Sequence, residues 1–151
     1  MTVADGPASI EEFLAEVLER RGEEEANVAR RLVDWARGEK LDVDRFGKRS
    51  GKGDSWVPHV RGLGEMQYLI SLWAKSGRVS VMFARMRKER PFDDDVNYAK
   101  LERRFAELPG WTPRKGSFPD IGLRDLADDA VFEQFVSGLE WVLGRLRQFS
   151  Y

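Results

Sequence analysis

Apolar residues recur every three or four positions as far as Gly38, every second position between Met66 and Met86, and every three or four again between Phe132 and Leu146. Helices require the first spacing and half-buried strands the second, so the chain must run from helices into a sheet and back into helices. This restricts the fold class to α+β: two N-terminal helices, about four antiparallel strands forming one sheet, then two to three C-terminal helices packed on it. Residues 9–151 read as a single α+β domain behind a loose N-terminal segment, 1–8. A chain of this length hides roughly 70% of its unfolded surface in one core.

Local signals place the elements. Ser9 and Glu12 make a capping-box pattern, and Ile10, Phe13, Leu14, Val17 and Leu18 form an apolar face up to Gly22. Glu23, Glu24 and Glu25 complement the dipole of a second helix, whose stripe of Val28, Leu32 and Trp35 ends at Gly38. Leu41 and Val43 then alternate with Asp42 and Asp44, and the turn-like run 47–54 predicts a wide hairpin loop. Its return strand would hold Trp56, Val57 and Val60, with Pro58 confining it to an edge or a bulge. Met66, Tyr68, Ile70 and Leu72 open a second hairpin, and across Ser76-Gly77 its returning strand runs over 79–87 with Val79, Val81 and Phe83 on one face.

Pro91 ends that strand, and Asp93, Asp94 and Asp95 crowd the start of a third helix carrying Tyr98, Leu101, Phe105 and Leu108. Trp111, Pro113, Gly116, Phe118 and Pro119 predict an aromatic-pinned loop over 110–120. Asp128 and Asp129 start the last helix, whose Phe132, Phe135, Val136, Leu139, Val142, Leu143 and Leu146 make a wide apolar face.

Composition narrows the chemistry. The absence of cysteine removes thiolate nucleophiles, disulfides and Cys-based metal sites, and fits a reducing, cytoplasmic setting. With one histidine, metal sites built mainly from imidazole are excluded. The N-terminus does not read as a signal peptide, and the longest apolar runs are too short to span a bilayer, so a soluble protein with no membrane partner is expected. The run Gly47-Lys48-Arg49-Ser50-Gly51-Lys52-Gly53 misses the phosphate-loop pattern: three residues, not four, separate its first glycines and no Ser or Thr follows Lys52. Gly62-Leu63-Gly64 likewise lacks the third glycine of a dinucleotide fingerprint, so no cofactor is expected.

Charge is distributed unevenly. Residues 1–38 carry nine acids and five bases (−4), 39–91 six acids and twelve bases (+6), and 92–151 eleven acids and eight bases (−3). A basic middle between acidic ends suits a surface that meets a polyanion. Its candidate binding residues are Arg45, Lys48, Arg49 and Lys52 on the glycine-rich hairpin, Trp56 and Arg61 after it, and Arg85, Arg87 and Lys88 on the expected last strand. The cations would neutralise phosphates while Trp56, beside the polar loop, would stack on a base. Trp35, Trp73, Trp111 and Trp141 are read as core.

Catalytic candidates are few. His59 could act as a general base, but no partner is identifiable and no nucleophile motif is present. Asp54 followed by Glu65-Met66-Gln67 resembles the metal-binding pattern of some restriction-type nucleases. That resemblance implies acids holding magnesium beside a scissile phosphate, with Gln67 where a water-orienting lysine usually stands. The other acidic clusters, 23–25, 93–95 and 128–129, sit where helices start and read as caps. The leading expectation is therefore a small noncatalytic binding domain that contacts nucleic acid or another polyanion through its basic hairpin region. The alternatives are a protein-interaction or self-associating module using its helical faces, and a metal-dependent, nuclease-like phosphodiesterase using Asp54 and Glu65.

Overall fold

The computed structural model describes residues 9–49, 53–63, 67–114 and 118–149, and for 48, 49, 53 and 54 the backbone alone. Two helices lead, α1 (Ile10–Arg21) and α2 (Glu23–Gly38). Ser9 Oγ accepts from the Glu12 amide at 3.3 Å, satisfying one donor that the first turn leaves open. Gly22 joins the helices at φ 94°, a left-handed conformation that only glycine adopts at little cost, and its amide donates to the Leu18 carbonyl. Ile10, Phe13, Leu14 and Val17 are buried as their spacing predicts, whereas Leu18 is 50% exposed at the end of the stripe. In α2 the buried face is Val28, Ala29, Leu32, Val33 and Ala36; Trp35 lies at its border and donates its indole N–H to Glu140 at 3.0 Å.

The sheet has five antiparallel strands in chain order: β1 (Phe46–Arg49), β2 (Gly53–Trp56), β3 (Ile70–Trp73), β4 (Arg78–Val81) and β5 (Asp120–Gly122). Register aligns Phe46, Trp56, Leu72, Val79 and Ile121 in one row across all five. The last four are fully buried, and the Phe46 ring lies 5.9 Å from that of Phe13 on α1. The neighbouring row, Gly47, Ser55, Trp73, Arg78 and Gly122, falls on the opposite face because successive side chains alternate.

Three local expectations are corrected. The glycine-rich run read as loop supplies both strands of the first hairpin, while the alternating segment before it forms only an isolated bridge between Asp42 and His59. The strand expected over 79–87 ends at Val81, and α3 (Phe83–Met86) follows. Phe83 and Met86 are three residues apart and both buried; one helical turn brings them to the same side, where a strand would send them to opposite faces. The loop expected over 110–120 closes instead on a fifth strand, with Thr112 and Asp120 exchanging both backbone hydrogen bonds at 2.8 and 3.0 Å.

Helices α4 (Asp95–Ala106), α5 (Leu123–Leu126) and α6 (Asp129–Gln148) complete the chain. Asp94 accepts from the Asn97 amide and Asp128 from those of Ala130 and Val131, so these acids cap helix starts as their positions suggest. One continuous core joins the sheet row to α1, α2, α4 and α6. Within it Phe105 stacks on Trp111 at 5.1 Å and meets Phe83 and Phe135 edge-on.

Gly138, in mid-α6, is where that ring cluster presses against a helix: a Cβ there would stand 2.7 Å from the Phe105 ring, whereas one at Gly144 would meet nothing within 4 Å. Alanine gains about 1 kcal/mol of helix propensity over glycine, while overpacking a core costs about 1–3 kcal/mol. Chemical denaturation should therefore show Gly144→Ala more stable than the parent and Gly138→Ala less stable, although both improve the same helix.

Candidate polyanion-binding surface

Beyond β2 the chain runs through Val57 and Pro58 to His59, which forms isolated antiparallel bridges with both Asp42 and Tyr68. The Asp42 and His59 amides donate to each other's carbonyls at 2.9 and 3.0 Å, and the Val60 amide donates to the Gln67 carbonyl at 2.7 Å. This backbone frame stacks the His59 ring on that of Tyr68, with centroids 5.7 Å apart and planes 17° from parallel. Arg85, projecting from α3, places its guanidinium carbon 5.0 Å from the Tyr68 centroid. On the other side Arg45 donates to the Asp42 carboxylate at 2.8 Å. Arg45, Asp42, His59, Tyr68 and Arg85 thus form one continuous line, with both arginines exposed and both rings half-buried.

The electrostatics follow from this arrangement. The Arg45 hydrogen bond holds the Asp42 carboxyl below its ordinary value, and the Asp44 amide and the nearby charges of Arg45 and His59 assist against partial burial. Burial pushes His59 down from its ordinary 6.5, the positive charge of Arg45 pushes it further, and Asp42 opposes them. The imidazole is therefore neutral near pH 7 and gains its proton only in acid.

The candidate residues separate into distinct environments. Trp56 is corrected outright: it is fully buried, its indole N–H donates to the Val43 carbonyl at 2.8 Å, and no base can stack on it. The four tryptophans read as core are each half-buried, so the one singled out as exposed is the one most enclosed. Arg85, Arg87 and Lys88 stand on or just after α3, not on a strand. Arg87 is committed to structure: it donates to the Phe92 carbonyl, pairs with Asp95 and covers the Tyr98 ring at 4.9 Å. Arg61, Arg85 and Lys88 are exposed and form no ion pair among the described residues.

On the first hairpin, Lys48 lies opposite Asp54 and Arg49 opposite Gly53 in backbone register. Their side chains, and all of Lys52 and Glu65, lie outside the described residues, so the Asp54–Glu65 pair of the nuclease-like pattern lies there too; Gln67 is exposed. Among the described residues no group of three or more His, Asp or Glu is placed to hold a metal ion. Tyr68 and Asp42 are the members of the surface that residue type alone did not single out. The signal that finds Tyr68 is the turn at Arg61-Gly62, which lies between His59 and Tyr68 where the two are bridged.

Comparison with protein-family models, curated proteins and solved structures finds no significant match to this chain.

The lowered His59 value has a consequence for stability. The unfolded chain binds the proton near 6.5 while the folded chain resists it, so this contribution is present above 6.5 and is lost as pH falls toward the folded value. Denaturant midpoints measured at about pH 7.5 and about pH 5.0, on either side of the histidine range, should fall more between the two for the parent than for His59→Gln. Equal losses would show that His59 titrates as freely in the fold as out of it.

Proposed function

We propose that this chain is a noncatalytic binding domain that meets nucleic acid, or another polyanion, at the surface centred on the His59–Tyr68 stack. One observation carries the reading: Arg85, exposed and held over the Tyr68 ring at 5.0 Å, and exposed Arg61 and Lys88, two residues after His59 and three after Arg85 in the chain, have no ion-pair partner among the described residues. A cation without an internal partner remains able to displace counterions from phosphate, which is the main source of affinity for such partners. Tyr68 holds the Arg85 guanidinium in place beforehand, and a fixed guanidinium plane suits both phosphate oxygens and the face of a base.

Arg45 contributes less free charge, because Asp42 occupies its Nε. His59 adds charge conditionally: phosphate nearby favours its protonated form, so binding should tighten as pH falls below 7.

The test is binding of the parent and of an Arg61→Ala/Arg85→Ala/Lys88→Ala variant to short single- and double-stranded DNA and RNA across a salt series. Each phosphate contact contributes about 0.7 to the logarithmic salt slope on single strands and about 0.9 on B-form DNA. The triple variant should therefore bind more weakly and show a slope shallower by about 2 on single strands and about 2.7 on B-form DNA. No binding by the parent at low salt would overturn the reading, as would binding unaffected by the triple substitution.

A further inference from the structure

A second basic cluster sits at the opposite end of β4, on the outer row of the sheet. Asp120 is buried, at 7% exposure, and its carboxylate is shared by two arginines. Arg78 donates to Oδ1 through Nε at 3.0 Å and Nη2 at 2.5 Å, and Arg114 donates to Oδ2 through Nε at 2.6 Å. Arg78 Nη2 also donates to Thr112 Oγ1 at 3.1 Å. One arginine would suffice to neutralise one carboxylate; the second brings a guanidinium whose two terminal NH2 groups make no hydrogen bond to a described residue.

We propose that Arg78 and Arg114, fixed side by side on Asp120, form a binding site for a phosphate group. The shared carboxylate holds the two guanidinium planes before any ligand arrives, so little side-chain entropy remains to be lost on binding. Burial would raise the Asp120 pKa, but hydrogen bonds and charge from Arg114 and Arg78 outweigh it and hold the carboxyl below its ordinary value, so the anchor stays ionised near neutral pH. Arg78 is 33% and Arg114 50% exposed in the side chain, so their outward donors face solvent. Ser80, cross-strand neighbour of Asp120, and Thr112 add hydroxyls at the same place. Asp125 also lies near, accepting from the Gly122 amide at 3.3 Å.

Gly122 is part of the fit, since a Cβ there would stand 2.9 Å from Arg78 Nη1. A tetrahedral oxyanion would take the donors that Asp120 leaves free, Arg78 Nη1 and the two terminal NH2 groups of Arg114. Its source is either a small phosphate ester or a nucleic-acid backbone. The site does not depend on the His59–Tyr68 surface and can stand if that reading fails.

The experiment follows the arginine side-chain N–H signals of the full chain by NMR during titration with inorganic phosphate against chloride at constant ionic strength, beside Arg114→Gln, Arg114→Lys and, at an exposed position on α6, Arg147→Gln. Saturable shifts centred on Arg78 and Arg114 are expected, unchanged in Arg147→Gln and weakened on the order of tenfold in Arg114→Gln, as for loss of a charge-assisted hydrogen bond. Arg114→Lys, which retains the charge on Asp120 but not the fork, separates lost binding from lost folding and should also weaken the response. A second titration with a short single-stranded oligonucleotide assigns the source: weakening there by Arg114→Gln points to backbone phosphate, and weakening confined to inorganic phosphate points to a small ester. Absence of saturation in the parent, or equal binding by parent and both Arg114 variants, would overturn the proposal.

Discussion

The Trp56 indole lies wholly enclosed in the middle of the sheet, and its single polar atom is satisfied by the Val43 carbonyl at 2.8 Å. An unpaired N–H there would cost about 1–3 kcal/mol, so the bond specifies where the segment before β1 must lie. That segment then brings Asp42 against His59, and Asp44 accepts from the Ile10 amide at the start of α1 at 2.9 Å. One buried aromatic residue therefore sets the β1–β2 register, the seat of the first helix and the frame of the candidate surface.

At the other side of the sheet the controlling interaction is ionic. β5 has three residues and only one large apolar side chain, Ile121, too little to hold a strand by burial alone. The Arg78–Asp120–Arg114 cluster and the Thr112 bridge secure it where β4 would otherwise be an open edge. Partly exposed pairs of this kind contribute modestly in free energy, but a buried carboxylate with a defined pair of donors is specific in position.

Ion pairing also decides what the basic middle of the chain can offer a partner. Arg45, Arg78 and Arg87 each pair with an acid, Asp42, Asp120 and Asp95, of which Asp120 also serves Arg114, while Arg61, Arg85 and Lys88 have none among the described residues. Two of those three pairs reach into the acidic C-terminal segment of the sequence. The +6 excess of 39–91 is thus partly consumed by the fold. Of what remains, α3 turns Arg85 back over Tyr68, whose ring stacks on His59.

The sequence by itself determined the α+β class, the helix starts at Ser9, Asp94 and Asp128, and most of the core, because caps and apolar periods are set by residues within a turn or two of one another. Those signals hold wherever the element is placed. Only the tertiary structure decided that Trp56 faces inward, that 46–49 and 53–56 pair as strands, that the chain leaves the sheet after Val81, and that Asp120 lies beside Arg78, 42 positions away. Each of these depends on which distant segment comes alongside, a choice made by register and by competition for burial that no local window contains.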